Sequence, residues 1–315
     1  MAHPRTFRFG VQLATAEDGP GWAALARRAE ELGYSTLHMP DHFGDQLAPM
    51  PAIMAAADAT TDLRVGALVF DNDYKHPLVF AKEIATIDRL SGGRVELGLG
   101  AGWMNTDYEQ SGIRHDSAKV RIDRMEEGLA IIKGLFADGP FSFEGEHYTI
   151  TGHEGLPKPI QRPHPPILIG GGGKRVLSIA AREADIVGIA PAAKTGKVDV
   201  ESAADTAAEA TDRKSAWVKE AAGDRYPDLE INTLNFAVIV LEDQAETDPM
   251  LETMGGLFGL TLEQMRVNPH AMIGTVDQIC ESLESRRERW DMSYFVVQQD
   301  AMEATAPIIA RLHGT

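Results

Sequence analysis

Short apolar runs bounded by glycine, proline and charged turns recur along the chain, and few of them alternate with polar positions. FRFGVQLA (7–14), STLHMP (35–40), LRVGALVF (63–70), RVELGLGA (94–101), PILIGGG (166–172), DIVGIA (185–190), EINTLNFAVIVL (230–241) and YFVVQQ (294–299) are rich in Val, Ile, Leu and Phe. Unbroken apolarity over so few residues predicts strands buried on both faces. Between them the pattern shifts to a helical period over 21–33, 79–93, 120–136 and 174–184, with a last helix near 302–312. RAEELG and RLSGG end in glycine, a common helix stop. Eight strands, nearly all separated by helices, predict an α/β (β/α)8 TIM barrel rather than an open sheet.

The length suits one barrel domain over 1–315 with two insertions. FSFEGEHYTI alternates around Glu-Gly and predicts a hairpin near 140–151. The second, near 244–272, carries Met250, Met254, Phe258, Leu260 and Met265 on a helical pattern, the composition of a lid, a dimer face or a packed layer. The Ala-rich segment 202–222 reads as one solvated helix after the sixth strand.

In such barrels the reacting groups stand where strands end. The first strand ends at Gln12, and the second runs into Pro40-Asp41-His42-Phe43. The third leads through Phe70 into DNDYKHP, and the fourth into GLGAGWMN with Trp103 and Asn105. The fifth ends in four glycines, Gly170–Gly173, followed by Lys174 and Arg175. Glycines at a strand-to-helix turn let backbone N–H groups approach an anion, and the helix N-terminus adds positive charge. A phosphate cradle is the reading favoured here over a turn that is glycine for steric reasons alone. It is not a Walker motif, because Ser or Thr does not follow the lysine. GLGAGW has the spacing G-x-G-x-G rather than G-x-G-x-x-G, so small residues there fit a flat ligand or a tapering barrel instead of a dinucleotide fold.

Asp41 could cap the turn that follows it. His38 and His42 invite a metal reading, but Pro40 breaks the helix that would bring both rings together, and no third ligand cluster completes a site. The expectation is no metal.

Charge and composition narrow the partners. A net charge of −17 argues against nucleic acid and anionic membranes, which need basic patches. No apolar run approaches the roughly 18 residues of a membrane helix, and the N-terminus lacks the apolar stretch of a secretory signal. The single cysteine, Cys280, excludes an internal disulfide and lies in an amphipathic helical pattern, IGTVDQICESL, as a small buried hydrophobe. A cytoplasmic protein acting on a small molecule is expected.

PDHF, GALVFDNDYKHP, IDRLSGGRVELGLGAGW and PPILIGGGGKR, in this order, resemble the luciferase-like superfamily of flavin and deazaflavin oxidoreductases. The likeness is greatest to the F420-dependent oxidoreductases of actinobacteria. It runs to about residue 190 and resumes at 273–297. The resemblance implies a cofactor, coenzyme F420 or alternatively FMN, with its phosphate on Gly171, Gly172, Gly173 and Lys174. It implies a non-prolyl cis peptide at Leu68–Val69 behind the ring, with Asp41 at the ring edge. Asn105 and Tyr108 would be further cofactor contacts, and His42 the catalytic proton carrier. Trp103 stands where sugar-phosphate dehydrogenases of the superfamily carry a glutamate. An apolar substrate pocket walled by Gln12, Phe43, Phe70 and Trp103 is therefore expected. The resemblance and the Met-rich insertion also imply a homodimer.

Overall fold

The computed structural model describes residues 5–197 and 199–315. Eight strands make up its main sheet: β1 (Arg8–Gln12), β2 (Thr36–Met39), β3 (Arg64–Ala67), β4 (Val95–Gly100), β5 (Ile167–Gly171), β6 (Ile186–Ile189), β7 (Glu230–Asn235) and β8 (Met292–Gln298). Phe70–Asp71 prolongs β3 beyond a break at Leu68–Val69, whose peptide bond is cis. The hydrogen-bonded order is β3-β2-β1-β8-β7-β6-β5-β4, and β3 pairs with β4 as well, so the order closes. This is the strand order of a (β/α)8 barrel, and the registers of β1 with β8, β7 with β6 and β3 with β4 run parallel. Every residue of β2, β4 and β6 is buried, the polar Thr36, His38 and Glu96 included.

The chain forms two compact units. One holds the segments ending at Leu13, Arg28–Thr36 and Ile169–Thr315. Its core includes Phe7, Phe9 and Phe295, with ring centroids 6.0 and 6.2 Å apart across β1 and β8. The other unit, Ala14–Arg27 with Leu37–Leu168, contains β3, β4 and the helices Pro77–Leu90 and Ala118–Phe136. It also carries an antiparallel hairpin, Pro140–Glu144 with Thr149–Glu154. The Glu127 carboxylate accepts three backbone N–H groups, from Glu146, His147 and Tyr148, and so pins the tip of that hairpin to its helix.

Four sequence expectations need correction. EINTLNFAVIVL is two strands: after β7 the chain turns at Phe236, and Ala237–Val240 pairs with Ala271–Gly274 in a separate sheet. Segment 202–222 is not a single solvated helix. It breaks into Val200–Ala204 and Ala208–Ala222, and Lys214 is buried with its ammonium on Asp205 at 2.7 Å and the Ala190 carbonyl at 2.9 Å. A helix over Pro49–Ala59 has no counterpart in the expected pattern, because Pro49 and Pro51 look like breakers but sit in the first turn, where their missing N–H costs nothing. A short helix, Asn105–Ser111, also lies between β4 and the next long helix and ends at left-handed Gly112. In the 244–272 insertion Leu251, Leu260, Met265 and Ala271 form a small core with Met254 packed on it, while Leu257 and Phe258 face outward.

Candidate functional site

β2 stops because Pro40 cannot continue the ladder, and the next three residues turn away from the strand. Asp41 reaches across to the extension of β3, where its Oδ2 accepts the Asp71 N–H at 3.0 Å. Burial raises the Asp41 carboxyl, with that hydrogen bond and the Lys75 and His42 charges opposing. Asp41 and His42 are neighbours in sequence but do not form a pair. The partner of His42 is Asp107, 65 residues on, with Nδ1 2.6 Å from Oδ2. A carboxylate only accepts, so Nδ1 carries the proton and Nε2 is left as the basic nitrogen.

Asp107 is 4% exposed and is held by three donors. His42 Nδ1 and the Tyr74 hydroxyl, at 3.1 Å, share Oδ2, and the Phe43 N–H reaches Oδ1 at 3.2 Å. Aromatic rings frame the pair. Trp103 meets the imidazole edge-on at 5.8 Å, and Phe43, 49% exposed, lies against Tyr74 at 4.4 Å. The helix Asn105–Ser111 is what presents Asp107, so the functional group that sequence reading missed sits on the element it missed. The available signals were the left-handed glycine stop at 112 and an acid in a first helical turn.

Beneath this pair lies a knot of buried carboxyls. The Tyr108 hydroxyl is 3.2 Å from Asp71 Oδ2 and 3.1 Å from Asp73 Oδ2. Burial, with the Asp73 charge adding, pushes the Asp71 carboxyl up to about 7 and so toward its protonated form, while the hydrogen bonds from the Asp73 N–H and the Tyr108 hydroxyl oppose. Asp73 is also raised by burial, but Arg124, 3.2 Å away, favours its charged form. Gly102 makes this arrangement possible, since at φ +71° a Cβ would lie 1.9 Å from the Tyr108 hydroxyl.

The knot makes stability depend on pH. A carboxyl with a raised folded pKa contributes most when protonated. Its contribution is complete below the unfolded value of about 4 and is lost as pH climbs toward 7. Asp71→Asn, which keeps an acceptor for the Asp73 N–H, should therefore match the parent in acid. It should become the more stable protein, by on the order of 4 kcal/mol, as pH rises through that window, and then hold a constant margin. Urea unfolding across the pH range measures this; a margin independent of pH would show that Asp71 carries no such proton.

The remaining expected site residues take varied positions. Phe70 is 2% exposed and packs edge-on against Phe80 at 5.0 Å, as a core residue. Leu68 and Val69 are half-buried, and the Leu68 N–H bonds the Met39 carbonyl of β2 at 2.9 Å. Gly98 and Gly100 are small because β4 runs close to this bulge, and a Cβ on Gly98 would lie 1.9 Å from the Ala67 carbonyl oxygen. Asn105 opens its helix, half-buried.

In the other unit, Gln12 ends β1 opposite Gln298, half-buried. Gly171 closes β5, and its carbonyl accepts the Ala190 N–H at 3.1 Å. Gly173 N-caps the helix Lys174–Glu183 without any side-chain cap, and the space where its Cβ would stand is empty within 4 Å. A helix N-terminus without a side-chain cap, opened by a glycine, is of the kind that accepts a phosphate. Lys174 lies at the surface, 3.2 Å from Glu220, a contact worth little in water. Cys280 is buried, and burial raises its thiol. Among the described residues no group of three or more His, Cys, Asp or Glu is arranged to hold a metal, and no helix is long and apolar enough to cross a membrane.

Residues 6–248 match the family of luciferase-like monooxygenases, and the chain belongs to that family. Its members are oxidoreductases and monooxygenases that work with a flavin or a deazaflavin. An FMNH2-dependent dimethylsulfone monooxygenase of Pseudomonas putida is 35% identical over 190 residues, covering 56% of this chain and 51% of that protein. An F420-dependent glucose-6-phosphate dehydrogenase of Amycolatopsis mediterranei is 30% identical over 190 residues, 56% of each chain. The chain spans about half the length of these curated relatives. Among solved structures, the coenzyme F420-dependent tetrahydromethanopterin reductase of Methanopyrus kandleri superposes with a TM-score of 0.76. That match covers 98% of this chain and 99% of the reductase at 17% identity, and it shows the fold.

Proposed function

We propose that this chain is an F420-dependent oxidoreductase, moving a hydride between the deazaflavin C5 and a small, largely apolar organic substrate. The observation that carries this reading is the His42–Asp107 pair at 2.6 Å, with Trp103 edge-on to the imidazole and Phe43 against Tyr74. When bound, F420 supplies the two-electron hydride chemistry. The chain's own groups do the rest. Backbone N–H groups at Gly171, Gly172 and Gly173 would hold the phosphate; Asp41, Leu68, Val69 and Asn105 would hold the ring. His42 gives or takes, at Nε2, the proton that accompanies hydride. Asp107 keeps the ring in the tautomer that leaves Nε2 basic. Trp103 lies against the imidazole, and neither it nor Phe43 gives an anionic substrate a charged grip.

A second reading, an FMN-dependent monooxygenase using reduced flavin and O2, draws on the 35% identity with the dimethylsulfone monooxygenase. Titration of the purified chain with F420 and with FMN, each oxidised and reduced, separates the two. F420 binding, and bleaching of its absorbance with an oxidisable alcohol or its recovery from the reduced form with an enone or imine, is the expected result. Tight FMN binding with oxygen uptake, and no affinity for F420, would overturn it in favour of the second reading.

A further inference from the structure

Tyr74 is not used by the mechanism above, yet its hydroxyl ends on the same atom as the proposed proton carrier. Asp107 Oδ2 receives both His42 Nδ1 at 2.6 Å and the Tyr74 hydroxyl at 3.1 Å. Two donors to one oxygen compete for the same electron density, so the strength of one bond depends on the presence of the other. The phenol also remains a donor throughout the working range, since burial, with the Asp71 and Asp107 charges adding, pushes its ionisation far above the ordinary value of about 10. Its ring is fixed independently, by the tilted contact with Phe43 at 4.4 Å and an edge contact with Tyr108 at 6.0 Å.

We propose that Tyr74 is a positioning residue that acts through Asp107, holding the carboxylate in place and moderating its pull on the His42 Nδ1 proton. The inference rests on the proposed proton-carrier role of His42 for its catalytic meaning, but the contact itself does not. Tyr74 sits on the turn that follows β3, whereas His42 follows β2 and Asp107 follows β4. The hydroxyl thus couples three separate strand ends through a single carboxylate. A phenylalanine would preserve both ring contacts and delete only this coupling.

The test reads the His42 Nδ1 proton directly, by ¹H NMR of the full chain without cofactor or substrate. Its resonance is assigned by its loss in His42→Gln. In Tyr74→Phe the carboxylate oxygen has one donor fewer, so the remaining bond strengthens and the resonance moves downfield. A 2,3-difluorotyrosine placed at position 74 keeps the ring, is a stronger donor, and moves the resonance upfield. It also supplies the readout if Tyr74→Phe does not fold. With the redox assay in hand, Tyr74→Phe lowers kcat on the order of 3- to 10-fold with KM unchanged. Opposite displacements in the two variants establish the coupling. An unmoved resonance in either folded variant, or displacement of both in one direction, overturns it. Because the resonance needs no cofactor, failure of the F420 reading would appear in the binding titration and leave this measurement standing.

Discussion

His42→Ala is expected to turn over substrate about 10²–10⁴-fold more slowly than the parent while binding cofactor almost as tightly. The separation of effects follows from geometry. The imidazole touches Asp107 and the edge of Trp103, and its side chain is 28% exposed, so truncation removes a proton carrier without opening the core. Asp107→Asn should fall between the parent and His42→Ala. An amide can still meet Nδ1, but whichever of its atoms does so no longer fixes the proton there, and Nε2 is basic for only part of the population. Single-turnover kinetics with prebound cofactor measure both variants apart from product release. Parental turnover in His42→Ala would remove the imidazole from the chemistry and leave a cofactor-binding or sensing protein on the same scaffold.

The sequence supported the barrel and the strand ends because each rests on local signals. Unbroken apolar runs give doubly buried strands, and Pro40 marks where β2 must end. The break between β7 and Ala237–Val240 was hidden because apolarity continues straight through Phe236, and only the pairing partner changes. Lys214 looked solvated because a lysine on a helical face usually is. Its burial depends on Asp205, nine residues earlier, folding back to meet the ammonium at 2.7 Å. The site divides along the same line. PDHF stood out from the chain as a polar cluster at a strand end, but the partner of His42 could not, since 65 residues and two strand ends separate it from Asp107. Adjacent Asp41, expected at the ring edge, accepts the Asp71 N–H after the turn at Pro40. Phe70 shows the limit of such signals: an aromatic at a strand end reads as pocket wall, whereas its ring is buried against Phe80.

The glycine turn admits a test in which stability and binding move in opposite directions. Gly173 has φ −93° and ψ 150°, a conformation any residue adopts, and a Cβ there meets no atom within 4 Å. Gly173→Asp should therefore fold. Its carboxylate would cap the helix Lys174–Glu183, which now lacks a side-chain cap, and stabilise the protein by about a few tenths of a kcal/mol. That same carboxylate occupies the N–H groups a phosphate would use and repels it. Affinity for a phosphate-bearing cofactor, F420 or FMN alike, is expected to fall about 10²-fold, the worth of one or two charge-assisted hydrogen bonds. Gly172 gives the contrasting control: a methyl there would stand 2.4 Å from the Ala192 backbone nitrogen, so Gly172→Ala should lose stability as well as binding. Thermal melts and cofactor titrations on the two variants distinguish an anion site from a turn that is glycine for packing. Unchanged affinity in a Gly173→Asp protein that melts at or above the parental temperature would leave the turn with a steric role alone. Weakened binding of both cofactors in that same stable protein would place the phosphate on the helix N-terminus whichever ring system the barrel carries.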